Sequence, residues 1–200
     1  MPTNINRNEA INRTLLYLAE TLDNGTVFSN ETSPVDGFLD EAAVRVVRIA
    51  PLHMLGEGVE VNYKSKDDNE NGVVYINLKE RLTRLISIKL EEWDIPVTSV
   101  ITESDPKYAL QQHPATRGGK KHPVVALAQG GTRLELYSIN SEEQSTIDWF
   151  KGLSVTKVED CPDTLLNPIC WMAASLFLTS QGENDSATVA MNKSLELLQV

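Results

Sequence analysis

Apolar residues recur with a helical period at both ends of this chain and with a strand-like period in its middle. Over residues 8–24, Ile11, Leu15, Leu18 and Leu22 fall at i, i+4, i+7 and i+11, one face of a helix. Gly25 offers a left-handed stop. Further on, Ser33 and Asp36 have the spacing of a capping box, and Pro34 suits the first helical position. This pattern predicts a second helix running to Ala50 and ended by Pro51. Its polar strip of Glu41, Arg45 and Arg48 is narrow, as for a helix buried on most sides.

The middle reads as strands. "VEVNYKSKDDNENGVVYINL" has apolar ends around a polar tip, with the hairpin signal Asn71-Gly72. "LISIKLEEW" alternates in part, and "IPVTSVI" follows it. "PVVALA" and "TRLELYSI", joined through Gly130-Gly131, predict another hairpin. Short, adjacent, turn-linked strands predict an antiparallel sheet. Helical pattern returns with "NPICWMAASLFLTS", where Asn167 could cap and Pro168 open the first turn. After "QGEND", a helix over 186–199 would place Ala187, Met191, Leu195 and Leu198 on one face.

Neither helix pair can bury its apolar surface alone. The expected fold is therefore α+β: a helical bundle from the N- and C-terminal helices, with an inserted antiparallel β region. The expected boundaries are 1–58 and 160–200 for the bundle and 59–159 for the insertion.

Composition narrows the function. The 200 residues carry 28 Asp+Glu against 18 Lys+Arg, a net charge of −10, which disfavours the surface as a whole as a polyanion or anionic-membrane binder. No apolar core of signal-peptide length opens the sequence, so export is not expected. The longest apolar run, residues 169–178, is about half of what a bilayer needs and reads as a buried helix. Cys161 and Cys170 make no disulfide framework and read as reduced, buried thiols in an intracellular setting.

One stretch departs from the acidic balance. From Pro106 to Leu134 there is no acidic residue, and Lys107, Arg117, Lys120, Lys121 and Arg133 stand there. The remainder carries 13 basic and 28 acidic residues, a balance of −15. At the centre lies "HPATRGGKKHP", which has the look of a ligand loop. A phosphate loop needs Gly-Lys-Ser/Thr opening a helix, but Lys120 is followed by Lys121, His122, Pro123 and then a strand pattern. "DDNENG" starts like a calcium loop, yet Leu78 stands where the bidentate Glu belongs, so it reads as a solvated hairpin tip. His53, His113 and His122 have no Cys or His at zinc spacing. Cys161 lies beside Pro162 and an apolar helix, unlike a nucleophile. Ser104-Asp105 and Glu91-Glu92 fit no acid/base layout. No catalytic residue, metal or cofactor is expected. The basic segment, with Tyr108 and His113 able to stack, could bind nucleic acid as an accessory protein. On an otherwise negative chain it fits better as a contact to an acidic neighbour.

The combined pattern resembles the head-to-tail connector, or neck ring (adaptor), proteins of tailed bacteriophages, closest to those of crAss-like and related short-tailed phages. The likeness runs from about Ile11 through most of the chain. It rests on the strand from Leu85 to Trp93, "Y-x-L-Q" at Tyr108–Gln111, "TRG" at Thr116–Gly118, and "HPVVAL" at 122–127. An apolar helix, a short polar break and a last helix complete it. Members often place a proline soon after the leucine at 78; here Lys79 and Glu80 stand there. The resemblance implies a virion structural protein at the neck/tail junction, assembled in the host cytoplasm. It implies a homo-oligomeric ring, usually of twelve copies, that binds below the portal, extends the DNA channel and recruits downstream tail proteins. Genomic DNA would pass without specific binding, no membrane would be involved, and no covalent chemistry would be done.

Overall fold

A computed structural model describes residues 4–22, 34–69, 72–137 and 145–199. Two helices come first, α1 (Arg7–Leu22) and α2 (Asp36–Ile49). Strands β1 (Val59–Glu60), β2 (Tyr63–Asn69), β3 (Val73–Leu78), β4 (Arg84–Leu90) and β5 (Ile101–Thr102) follow. A short helix α3 (Pro106–Gln111) precedes β6 (Val124–Ala128), β7 (Arg133–Tyr137) and β8 (Ile147–Leu153). The chain then forms α4 (Leu166–Ser180) and α5 (Asn184–Leu198). The fold is α+β, and it divides into two compact units: Met1–Gly56 with Val155–Val200, and Glu57–Ser154.

In the helical unit α4 is the central element. It is apolar on nearly every side, and it packs against α1, α2 and α5. Tyr17 of α1 stacks on Trp171, with ring centroids 4.1 Å apart. Asn6 caps α1 by accepting from the Asn8 and Glu9 amides. Arg7 then joins three segments. Its guanidinium meets Asp36 at 2.7 Å, Asp40 at 2.9 Å and Glu159 at 3.2 Å. The bonds and charges of Asp40 first and then Asp36 hold its pKa above the ordinary value despite opposing desolvation.

Several element ends differ from the sequence pattern. The second helix starts at Asp36, and Pro34 and Val35 lie in a turn before it. Ser33 and Gly25 fall outside the described residues. Asn167 is inside α4, not its cap, because its carbonyl accepts from Arg13 at 2.6 Å and from Tyr17 at 3.0 Å. The last helix buries Ala187, Ala190, Ser194 and Leu198, and Met191 is exposed. The small Ala190 and Ser194 permit close approach to α4, where Ser194 donates to the Pro168 carbonyl.

The β unit contains two sheets. One runs β1-β8-β4, all antiparallel, and the other β2-β3-β7-β6-β5. The first predicted hairpin forms as β2–β3, with Gly72 at φ 72°; Asn71 lies outside the described residues. The hairpin through Gly130-Gly131 forms as β6–β7. The expectation of a wholly antiparallel region is corrected by β5, which pairs parallel to β6. After β4 the chain turns back so that Val97 pairs antiparallel with Ile88, and the connection through α3 then carries it over from β5 to the parallel β6. Val74, Ile76, Leu134 and Leu136 of one sheet and Leu85, Ile88, Leu90 and Phe150 of the other share a single core.

Candidate interaction surface

Glu135 organises the basic segment from just beyond its end. Along β7 the side chains of Arg133, Glu135 and Tyr137 share a face, while Leu134 and Leu136 share the opposite one. The leucine face belongs to the inter-sheet core. The polar face is buried too, because α3 and Tyr108 pack over it with Val73, Ala126 and Tyr137. Glu135 is therefore only 2% exposed. A carboxylate there needs donors, and it has three. Tyr137 donates its phenol at 2.5 Å, Tyr108 at 2.9 Å, and Arg133 its Nη2 at 2.5 Å. Burial first, then these bonds to a negative group, pushes both phenol pKa values up.

The loop after α3 is fastened to the same platform. Asp105 caps α3 by accepting from the Lys107 amide at 2.8 Å, with Pro106 in the first turn. Gln111 is buried, and its side chain ties the Lys107 carbonyl to the Gly118 amide. Arg117 donates through Nε to the Gln111 carbonyl at 3.0 Å, and its guanidinium lies 5.9 Å from the Tyr137 ring centre. A Cβ on Gly118 would stand 2.9 Å from the His122 oxygen and the Val124 nitrogen. That glycine serves close backbone packing, not a phosphate. No helix follows it, since Gly119 and His122 form an isolated antiparallel bridge ahead of β6.

The five basic residues thus divide. Arg133 is half-buried, paired with Glu135, and 5.0 Å from the Tyr75 ring centre. Arg117 is half-buried against β7. Lys107, Lys120 and Lys121 are exposed. The Asp94 amide donates to the Lys120 carbonyl at 3.2 Å, so the acidic turn of Glu91, Glu92 and Asp94 lies beside that end of the segment. Tyr108, read as a possible stacking residue, has its hydroxyl on Glu135. Below Lys107, a groove of about 340 Å³ runs between α3, the Val97–Ile101 segment and the start of β6, lined by Leu110, Val124 and Val125 among others.

No protein-family model, curated protein or solved structure matches this chain. Among the described residues no three His, Cys, Asp or Glu side chains are grouped to hold a metal ion. The thiols of Cys161 and Cys170 are buried, and burial pushes them up to about 12 and about 11, so both stay protonated near neutrality. Among the described residues no helix is long and apolar enough to cross a membrane.

Glu135 and Tyr137 do not stand out in the sequence, and Gln111 does so only within the "Y-x-L-Q" motif. A signal for the first two existed: Arg, Glu and Tyr at i, i+2 and i+4 of a strand can meet on one face.

Proposed function

We propose that this chain is a virion structural protein: a ring-forming head-to-tail connector of a tailed phage that docks below the portal and does no covalent chemistry. One observation carries the reading. The residues behind the resemblance are those on which the fold is built. Tyr108 and Gln111 hold α3 to the sheet, Gly118 packs against backbone, "PVVAL" within the 122–127 motif lies at and within β6, and the apolar helix and its successor are α4 and α5. A motif devoted to architecture, with lysines displayed around it, suits a protein whose work is assembly. The charge supports the same reading. An acidic chain in a ring would repel DNA and let a genome slide without sticking.

The test mixes the full chain with the portal protein of the phage that encodes it, read by light scattering and negative-stain microscopy. Closed rings of uniform copy number seated on the portal are expected. A chain that stays monomeric and never binds portal would overturn the proposal.

A further inference from the structure

The three-stranded sheet has two unlike edges. One edge is β1, whose two residues are both exposed; Val59 is 67% exposed and stands between Glu57 and Glu60 in sequence. From there the ladder runs across the sheet. Val61 donates its amide to Phe150 of β8, Phe150 pairs with Ile88 of β4, and Ile88 exchanges two 2.9 Å backbone bonds with Val97. The groove beside α3 begins at Val97. The acidic edge and the groove thus lie on opposite sides of one sheet, about three strand spacings or roughly 14 Å apart. A copy cannot fill its own groove with its own β1.

The two edges are complementary. The groove is apolar, walled by Val97, Ile101, Leu110, Val124 and Val125, with Leu110 50% exposed. Lys107 lies on its rim, and Lys121 precedes the Pro123 that also lines it. Among the described residues neither ammonium has a hydrogen bond or ion pair. Opposite, β1 offers one exposed apolar side chain flanked by two carboxylates. Glu60 has no ion pair among the described residues, and Glu57 makes one loose, exposed pair with Lys151 at 3.9 Å. Exchanging such a pair for another costs little.

We propose that the groove receives the Glu57–Glu60 edge of a second copy of this chain, with Val59 on the apolar floor and the two glutamates facing Lys107 and Lys121. Because the two patches differ, the contact is head-to-tail, and repeated it closes a ring or extends a fibre. The inference rests on the ring reading above and names the surfaces by which copies meet.

The test is a cross-link in the full chain. Val59→Cys and Leu110→Cys are combined, oxidised, and run on a non-reducing gel beside each single variant and the parent. Both positions are exposed, the native cysteines are buried, and melting curves check folding. A ladder of dimers, trimers and higher species is expected only for the double variant. As a second measure, Lys107→Glu is expected to weaken self-association by about tenfold at low salt, and adding Glu57→Lys with Glu60→Lys to restore most of it. If the parent self-associates or forms rings on the portal but the double variant gives no ladder or stops at dimers, the groove contact is overturned and the ring reading stands. If the parent neither self-associates nor binds portal, the ring reading falls and takes this contact with it.

Discussion

Replacing Glu135 by Ala would strip two phenols and the Arg133 guanidinium of one shared acceptor. Glu135 is buried and Arg133 is half-buried, so the orphaned cation regains some water and the cost is moderate. The expected loss is about 2–3 kcal/mol of unfolding free energy, against about 1 kcal/mol for Tyr108→Phe, which removes a single donor. Urea midpoints followed by circular dichroism would check both; equal losses would deny Glu135 its role as a hub. The alternation in "TRLELY" separates Leu134 and Leu136 from Glu135 but does not show that both faces are buried. A period of two reports which residues share a face, not what covers that face. The cover is α3, which lies 24 to 29 residues earlier in the chain. The cysteines were more legible, since their apolar neighbours foretold burial. Their folded pKa values lie above the ordinary 9.0, so the folded state holds these protons more tightly. This contribution to stability is therefore fully present below about pH 9 and is lost as pH rises toward 11 to 12. Neither thiol should react with a disulfide reagent near about pH 8 until the chain is unfolded. Fast native labelling of either one would show an opening at the start of α4 or in the turn before it.

At the scale of elements, the "RGG" turn gives the sharpest contrast. Gly118→Ala would place a Cβ against three backbone atoms, the His122 and Tyr137 oxygens and the Val124 nitrogen, none of which can rotate away. Gly119→Ala meets nothing within 4 Å. The first is expected to cost about 1–3 kcal/mol and to raise amide exchange over residues 117–124; the second should be nearly neutral in both. Similar effects from the two would show that the loop is not packed as described. Long elements are legible in the sequence: α1, α2 and α5 show a repeating apolar period, and α4 stands out as a nearly unbroken apolar run. The short ones are not. The six residues of α3 hold too few turns to show a period, though Asp105-Pro106 carried a start signal. Strand β8 is broken in pattern by Gly152, where a Cβ would come 2.6 Å from Leu82, and by exposed Asp148 and Trp149. Parallel pairing of β5 with β6 depends on a crossover that no local turn signal marks.

For the molecule as a whole, the question is whether its cations meet DNA or protein. The helical unit's sequence carries 13 acidic and 6 basic residues, a balance of −7, and that of the β unit 15 and 12, a balance of −3. Neither balance attracts a polyanion. Within the basic segment, Arg117 lies against Tyr137 of β7 and Arg133, on β7 itself, pairs with Glu135, which leaves Lys107, Lys120 and Lys121 as its exposed cations, and Lys120 has the Glu91–Asp94 turn beside it. Three lysines can neutralise at most three phosphates, so a logarithmic plot of affinity against salt should slope no more steeply than about −2.7. Fluorescence anisotropy with a short labelled duplex is expected to show no measurable binding at about 150 mM salt and weak, sequence-independent binding well below it. Tight binding with a steeper slope, falling by about one for each of Lys120→Ala and Lys121→Ala, would instead make the segment a nucleic-acid contact. Lys107→Ala and Lys121→Ala separate the readings from the other side. A protein contact predicts that their loss weakens association between copies while leaving DNA affinity where it was, at the floor of detection, because a surface can steer an acidic neighbour with charges too few to hold a duplex.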